Sequence, residues 1–555
     1  MVMRRVLKHH VCFCFLSTAL LAGVSLIAAQ EKVYAQSLGN CKGDVDTGSD
    51  GEQPIVCGGS DRLGGGGSVS VSDGRTIDMD KYPGWPAVEV RGGDTNITMG
   101  GMLRVMNSSD NQPAIKVHDG GGLKLMDATV TNVSKGIVAD GGFVTVVAGS
   151  IGVKANGVVV EVKNGGKVTL MMKGQGVRGG ESNSTGIEVG DGGGTVVLDG
   201  TNFTQVTTGI MIKGNGGKAS VNMGEGKITV GSSGRGIVMQ GQGEASATVM
   251  GGEIVGSGSV VGAEVKDGTL TLVGTNFTKV TTGAQVSGQG KAEVTSVKIV
   301  GNEKGQGVVM MGEGEVTLMG TTVESFLTGV SVSDGTVKIN GESTIKAEGD
   351  DGVGIKITEK GKAEVIGATI EAKGDRAVGI KVEGQGKANV NMMGGKIQGH
   401  GNESGQGVGV DMAGENGTVT LTSVGVEGFE TGVKVSKGKV MISGASTKIT
   451  ARGKKAVGVQ ITETGKAEVI GATIEGGGDW GTVLKVEGQG KAELKDVTIK
   501  GNENGNNKGV VMMGEGEVTL NNVTVSGVKT GVEVTNGMVK IKWGVDEDCG
   551  YGYGA

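Results

Sequence analysis

Along most of this chain apolar and polar residues alternate in short runs, and a glycine interrupts each run. The phrase glycine-apolar-x-apolar recurs throughout: GVVV at Gly157, GIEV at Gly186, GIMI at Gly209, GIKI at Gly354, GIKV at Gly379 and GVEV at Gly531 are examples. TVLKV at Thr482 stands in for it once, and weaker forms begin at Pro86, Pro113 and Gly136. In all there are 19 such units from Pro86 to the phrase at Gly531. Their mean spacing, about 25 residues, falls among the periods typical of solenoid repeats. Two further alternating runs follow within most units, as in GKANVNMMGGKI after the phrase at Gly379. Alternation over such short runs is the mark of a short strand. Nothing sustains a helical period.

Three short strands per unit predict one coil of a parallel β-helix. Successive coils stack by parallel pairing at about 4.8 Å, so 19 coils give a rod of about 90 Å. Alternate apolar residues fill the shaft, and glycines serve the tight corners where φ turns positive. A β-propeller is excluded by its longer unit of about 40–50 residues with aromatic signatures. A sandwich gives no reason for 19 similar units.

Longer repeats lie over the short one. AEVIGATIE occurs at Ala363–Glu371 and at Ala467–Glu475, and GVVMMGEGEVTL at Gly307–Leu318 and at Gly509–Leu520. Duplication of a four-coil block explains both, since each coil contacts only its neighbours. Phe203 and Phe277 sit in identical GTNFT phrases, and Phe326 and Phe429 lie just ahead of a coil-starting glycine. A stack of rings inside the shaft is expected, with an exposed sugar platform as the alternative.

Composition changes this picture little. The 113 glycines and four prolines exclude collagen, which needs a strict period and abundant proline. The amino terminus changes more. Arg4, Arg5 and Lys8 precede an apolar stretch from Val11 to Ala29, and Val33-Tyr34-Ala35 supplies small residues for cleavage between Ala35 and Gln36. This reads as a signal peptide over 1–35, with an uncleaved anchor as the alternative. Its removal takes four basic groups and one acidic group and moves the formal charge from −6 to −9. An acidic, mixed-charge chain lacks the basic footprint of a nucleic-acid binder.

The expected organisation is a signal peptide (1–35), an N-terminal cap (36–85), the β-helix (86–544) and a tail (545–555). Cys41 and Cys57 bracket a polar loop in the cap, and in an exported protein they are expected to form a disulfide. No histidine lies near enough to complete a metal site. Cys549 is left free or intermolecular.

Candidate chemistry concentrates in corner loops. GNEKGQG, GNESGQG and GNENGNNKG begin at Gly301, Gly401 and Gly501, each ahead of a coil-starting strand, so all should leave the same edge about 19 Å apart. Asn302, Glu303 and Lys304, Asn402 and Glu403, and Asn502 and Glu503 are the candidate binding residues. Such loops are more simply explained as solvated insertions that grow at tolerant sites. His118 and His400 are some eleven coils apart and cannot act together. Asp334, Asp350, Asp351 and Asp375 fall where turns favour aspartate. Neither a phosphate loop nor a calcium nonapeptide survives: GNGGKAS at Gly214 lacks the Ser/Thr directly after lysine, and GDGGGTVVLDG at Gly190 has too few carboxylates. No catalytic residue, metal or cofactor is assigned.

The long leader, the cysteine-bracketed cap and the long glycine-rich β-helix together resemble the passenger region of a Gram-negative autotransporter. The resemblance implies a right-handed parallel β-helix, export with transient membrane passage, and display at the cell surface or release. The translocator barrel that ends such proteins does not follow Ala555 here, so it is lost, separate or cut away. Three functions follow as expectations. The first is an interaction protein of the adhesin type that binds a host cell-surface receptor or matrix component. The second is a released, growth-factor-like agonist of a host receptor. The third is a polysaccharide lyase or hydrolase, a class that uses this fold. Oligomeric state is left open.

Overall fold

The alternation of polar and apolar residues in the sequence becomes an alternation of burial. The computed structural model describes residues 41–42, 52–58, 68–71, 74–173, 176–180, 182–241, 245–399, 406–503 and 505–542, all within the unit Asn40–Ala555. One turn shows how the others are made. Its strands are Val353–Ile357, Lys362–Ile366 and Thr369–Lys373. Ile355, Ile357, Ala363, Val365, Ile370 and Ala372 point inward and are at most 1% exposed. The residues between them face outward. Each fully buried aliphatic side chain of valine or isoleucine size contributes roughly 1.5–3 kcal/mol.

Every strand of this turn pairs in parallel with the equivalent strand one turn back and one turn on. Repetition yields three parallel ladders, here called first, second and third in chain order, and an all-β solenoid of about 18 turns. That is close to the 19 units counted in the sequence, whose recurring phrases lie on the first ladder. Among the described residues the one helical element is a 3-10 turn, Met79–Lys81.

The ladders reach upstream of the unit at Pro86. Ile55–Cys57, Ser68–Val71 and Arg75–Asp78 already pair in parallel with the turn that follows. Cys57 is disulfide-bonded. Cys41 stands opposite it in the antiparallel pairing of Cys41–Lys42 with Ile55–Cys57. The Ala35–Gln36 junction and Cys549 lie outside the described residues.

Glycine does two different jobs. At the corner that follows the second ladder, one residue per turn takes a left-handed conformation: φ is 56° at Gly320, 67° at Gly341 and 66° at Gly367. Ser296, Ser423, Asp496 and Asn522 fill the same position elsewhere with φ of 51–58°, at a cost glycine avoids. The glycine of the recurring phrase is not a corner residue. A Cβ on Gly379 would lie 2.3 Å from Ile397 Cγ2 and 2.5 Å from the Gly409 carbonyl oxygen, and Gly354 and Gly329 are crowded the same way. The first ladder is pressed so closely on the third that only a hydrogen fits. The positive-φ expectation therefore holds for the corner glycines and fails for these.

The phenylalanines are inside, as expected: Phe203, Phe277 and Phe326 are 0% exposed and Phe429 is 3%. They do not form a stack. Register along the third ladder runs Phe203, Ile228, Ile254, Phe277, so isoleucines fill the turns between rings.

Candidate functional site

The three corners of each turn are unequal. Two residues separate the second ladder from the third in most turns where the strands are distinct, whereas the path from third to first carries the longest insertions. Lys373 to Val378, Gly476 to Thr482 and Lys500 to Lys508 are such crossings. Loops on this corner sit one above another. The Trp480 N–H donates to the Lys454 carbonyl one turn back (3.1 Å), and the Asn506 N–H donates to the Asp479 carbonyl (2.6 Å). Asn507, fully buried, accepts from the Gly481 N–H at 2.9 Å and donates to the Asn502 carbonyl at 3.3 Å. The loops therefore extend the inter-turn pairing beyond the strands, as an ordered edge.

The candidate residues read from the sequence lie on this edge. The Asn302 amide donates to Thr281 Oγ1 (3.1 Å) and its Oδ1 accepts from the Lys304 N–H (3.3 Å). Glu303 takes φ of 67° and its N–H donates to the Ser325 carbonyl at 2.8 Å. The side chains of Asn302, Glu303, Lys304, Asn502 and Glu503 are exposed. Asn402 and Glu403 lie outside the described residues. The loops at 301 and 501 share a corner eight turns apart, about 38 Å at the ladder spacing, so they do not converge on one pocket.

A second grouping was not visible as a motif. On the outer side of the first ladder near its start, Glu89 and Lys116 share one row, and Arg91 and His118 the next. His118 Nε2 lies 2.9 Å from Glu89 Oε1, and Nδ1 lies 2.7 Å from Asp119 Oδ2. Both nitrogens can donate only as the imidazolium. Lys116 Nζ stands 3.4 Å from the same Glu89 oxygen, and Lys163 Nζ 3.2 Å from Asp140. Burial pushes the Glu89 carboxyl up, but the hydrogen bond from His118 and the ammonium of Lys116 outweigh it and hold it below the usual carboxylate range. Asp140 is held low in the same way, against its burial, by the Asn164 amide and Lys163. Glu89 precedes His118, and Asp140 follows it, by close to one turn of chain. That periodicity was the available signal. His400, the other histidine considered, lies outside the described residues.

Further along the same outer row come Lys356, Lys381, Asp411 and Lys434. Lys356 and Lys381 both pair with Glu383, at 2.7 and 2.9 Å. Asp411 Oδ1 is buried without a hydrogen-bond partner. Burial raises its carboxyl above the usual range despite the opposing Lys434 and Lys381. On the second ladder an open depression of about 440 Å³ is lined by Lys439, Lys466, Glu468, Lys491, Glu493 and Glu517 among others. Its charges are partly consumed by each other and by neighbours, with Lys439 2.6 Å from Glu468 and Lys540 2.5 Å from Glu517. Among the described residues no group of three or more His, Cys, Asp or Glu could hold a metal ion.

No family model matches this chain, and no curated protein does. Among solved structures it is similar to the periplasmic alginate epimerase AlgG, with 10% identity, coverage of 71% of this chain and 76% of that one, and a TM-score of 0.21. A likeness that remote carries no argument about chemistry.

Proposed function

We propose that this protein is an exported interaction rod, of the adhesin type, that binds a host cell-surface receptor or matrix component along its loop-bearing corner. The observation that carries the reading is the stacking of those loops. Backbone hydrogen bonds to neighbouring turns hold several of them in place, as Trp480 is held on Lys454 and Asn506 on Asp479, with polar side chains such as Asn302, Glu303 and Glu503 exposed. Such an edge meets an extended or multivalent ligand at several points, and multivalency multiplies weak contacts. Saturation binding of the labelled mature chain to cultured endothelial and epithelial cells tests it. Saturable binding that unlabelled protein displaces is the expected result, and binding no higher than background overturns it. Receptor phosphorylation on the same cells separates an agonist from an adhesin.

The His118 grouping favours a second reading, a polysaccharide-active enzyme. A histidine between Glu89 and Asp119, with lysines beside it, holds acid and base groups on one open face. Incubation with uronate polymers, followed by product chromatography, decides it. Turnover lost in His118→Ala would support the enzyme.

A further inference from the structure

The two tryptophans among the described residues are both left in solvent, Trp85 at 56% and Trp480 at 59% exposed. The buried phenylalanines show that the shaft can take a ring. Trp480 has instead been placed at the tip of an insertion, on a backbone that does not yield. Its own N–H is bonded to the turn below, and the preceding carbonyl is bonded by the turn above. Gly478 makes this close seat possible: with φ of +78°, a Cβ there would lie 2.0 Å from the Gly453 carbonyl oxygen. The indole is thus presented by a fixed support, and little order remains to be lost when something stacks on it.

The surroundings of the ring name the ligand class. The exposed side chains on the loops around it are polar, so the ring is not the centre of an apolar patch of the kind that anchors a protein partner. Arg452, Lys454 and Lys455 lie on the turn below, and Lys529 lies two turns above. All four are exposed, and no carboxylate among the described residues lies within ion-pairing distance of any of them. Some lysines elsewhere on the rod pair across turns, as in Lys213–Glu188, Lys338–Glu315 and Lys508–Glu533; what sets this stretch apart is four unpaired cations gathered around one exposed indole. Asp479 and Glu503 oppose the four cations, so this stretch is net positive on a chain whose formal charge is −6. The Lys529 ammonium is drawn down toward Trp480 by a 2.7 Å bond to Asn506 Oδ1 on the intervening loop.

We propose that Trp480, with Arg452, Lys454, Lys455 and Lys529, forms a binding site for an acidic glycan. The apolar face of one sugar ring stacks on the indole, and carboxylate or sulfate groups on flanking sugars meet the cations. This deepens the interaction reading above by naming a ligand class, and rests on it for the compartment.

The test uses the full mature chain and three octasaccharides: hyaluronate (carboxylate only), heparin-derived (carboxylate and sulfate) and a neutral laminari-oligosaccharide. Calorimetric titration should show binding of one or both acidic probes and none of the neutral one. Trp480→Ala should weaken it at least tenfold, Trp480→Phe should keep most of it, and Trp85→Ala should leave it unchanged. Lys454→Ser with Lys455→Ser should weaken it and flatten its salt dependence. Melting curves for each variant confirm the fold. Overturning results are equal affinity for the neutral probe, no binding of any probe, or binding indifferent to Trp480→Ala. Cell binding by the same variants keeps the two readings apart. Cell binding without glycan binding sinks this site alone. Glycan binding through Trp480 without cell binding sinks the host-cell reading alone.

Discussion

At the scale of single residues the two kinds of glycine make different demands. Gly379→Ala puts a methyl group into a space already filled by Ile397 and the Gly409 carbonyl. Overpacking of this sort costs about 1–3 kcal/mol. Gly367→Ala meets nothing within 4 Å but keeps φ of +66°, so its cost is about 1 kcal/mol. Chemical denaturation of the two variants should rank them in that order. Charged positions divide in the same way. Asp411 has a raised native carboxyl, so the native state holds its proton to higher pH than the unfolded chain. The penalty for ionising it is absent at low pH and fully present above its native range. Asp411→Asn should therefore stabilise the protein near neutrality, by on the order of 1 kcal/mol, and the gain should vanish as pH falls. Glu89 has the opposite sign: its native carboxyl is lowered, so its contribution is present above the ordinary glutamate range and lost as pH falls through the native value. Glu89→Gln should cost stability at neutral pH and nothing in strong acid. A pH series of melting temperatures reads both.

At the scale of the strand, the sequence carried most of the information. Alternation along a single strand told inward Val365 from outward Glu364, and the structure buries the first fully. Val365→Asp places an unpaired carboxylate between Ile339 and Met392, its neighbours along the ladder. The cost is several kcal/mol, and an unchanged thermal transition would refute the inward assignment. What the strand pattern could not convey was adjacency across turns. His118, Glu89 and Asp140 read as isolated residues because unit length varies along the chain, and a slip of a residue or two changes which side chains meet. The same uncertainty hid Asp411 between Lys381 and Lys434, and Trp480 among cations from turns below and above it. The phrase glycine was recognised as a marker, but its cause is the proximity of the third ladder, and no local pattern contains that distance.

At the scale of the whole solenoid, nearest-neighbour stacking makes the chain modular. Ala363 and Ala467 occupy the same place on the second ladder, four turns apart. Excising residues 363–466 joins Lys362 directly to Ala467 and restores the strand KAEVI. The shortened protein should fold, with small-angle scattering giving a maximum dimension smaller by about 19 Å. Failure to fold would show that the four-turn blocks are not interchangeable. Charge pairing supports the same modular picture, since ion pairs such as Lys356–Glu383 and Lys448–Glu475 tie one turn to the next, at about 0–1 kcal/mol each.

The direction of the ladder hydrogen bonds has a mechanical consequence. Strands run across the axis, so the bonds between turns run along it, and tension applied to the ends of the chain loads them one rung at a time. A tethered molecule should peel from an end at low, nearly constant force, each step releasing one turn of about 25 residues, or about 80–90 Å of slack. An organism holding such a rod between two surfaces would have a fuse that lengthens before its attachments break.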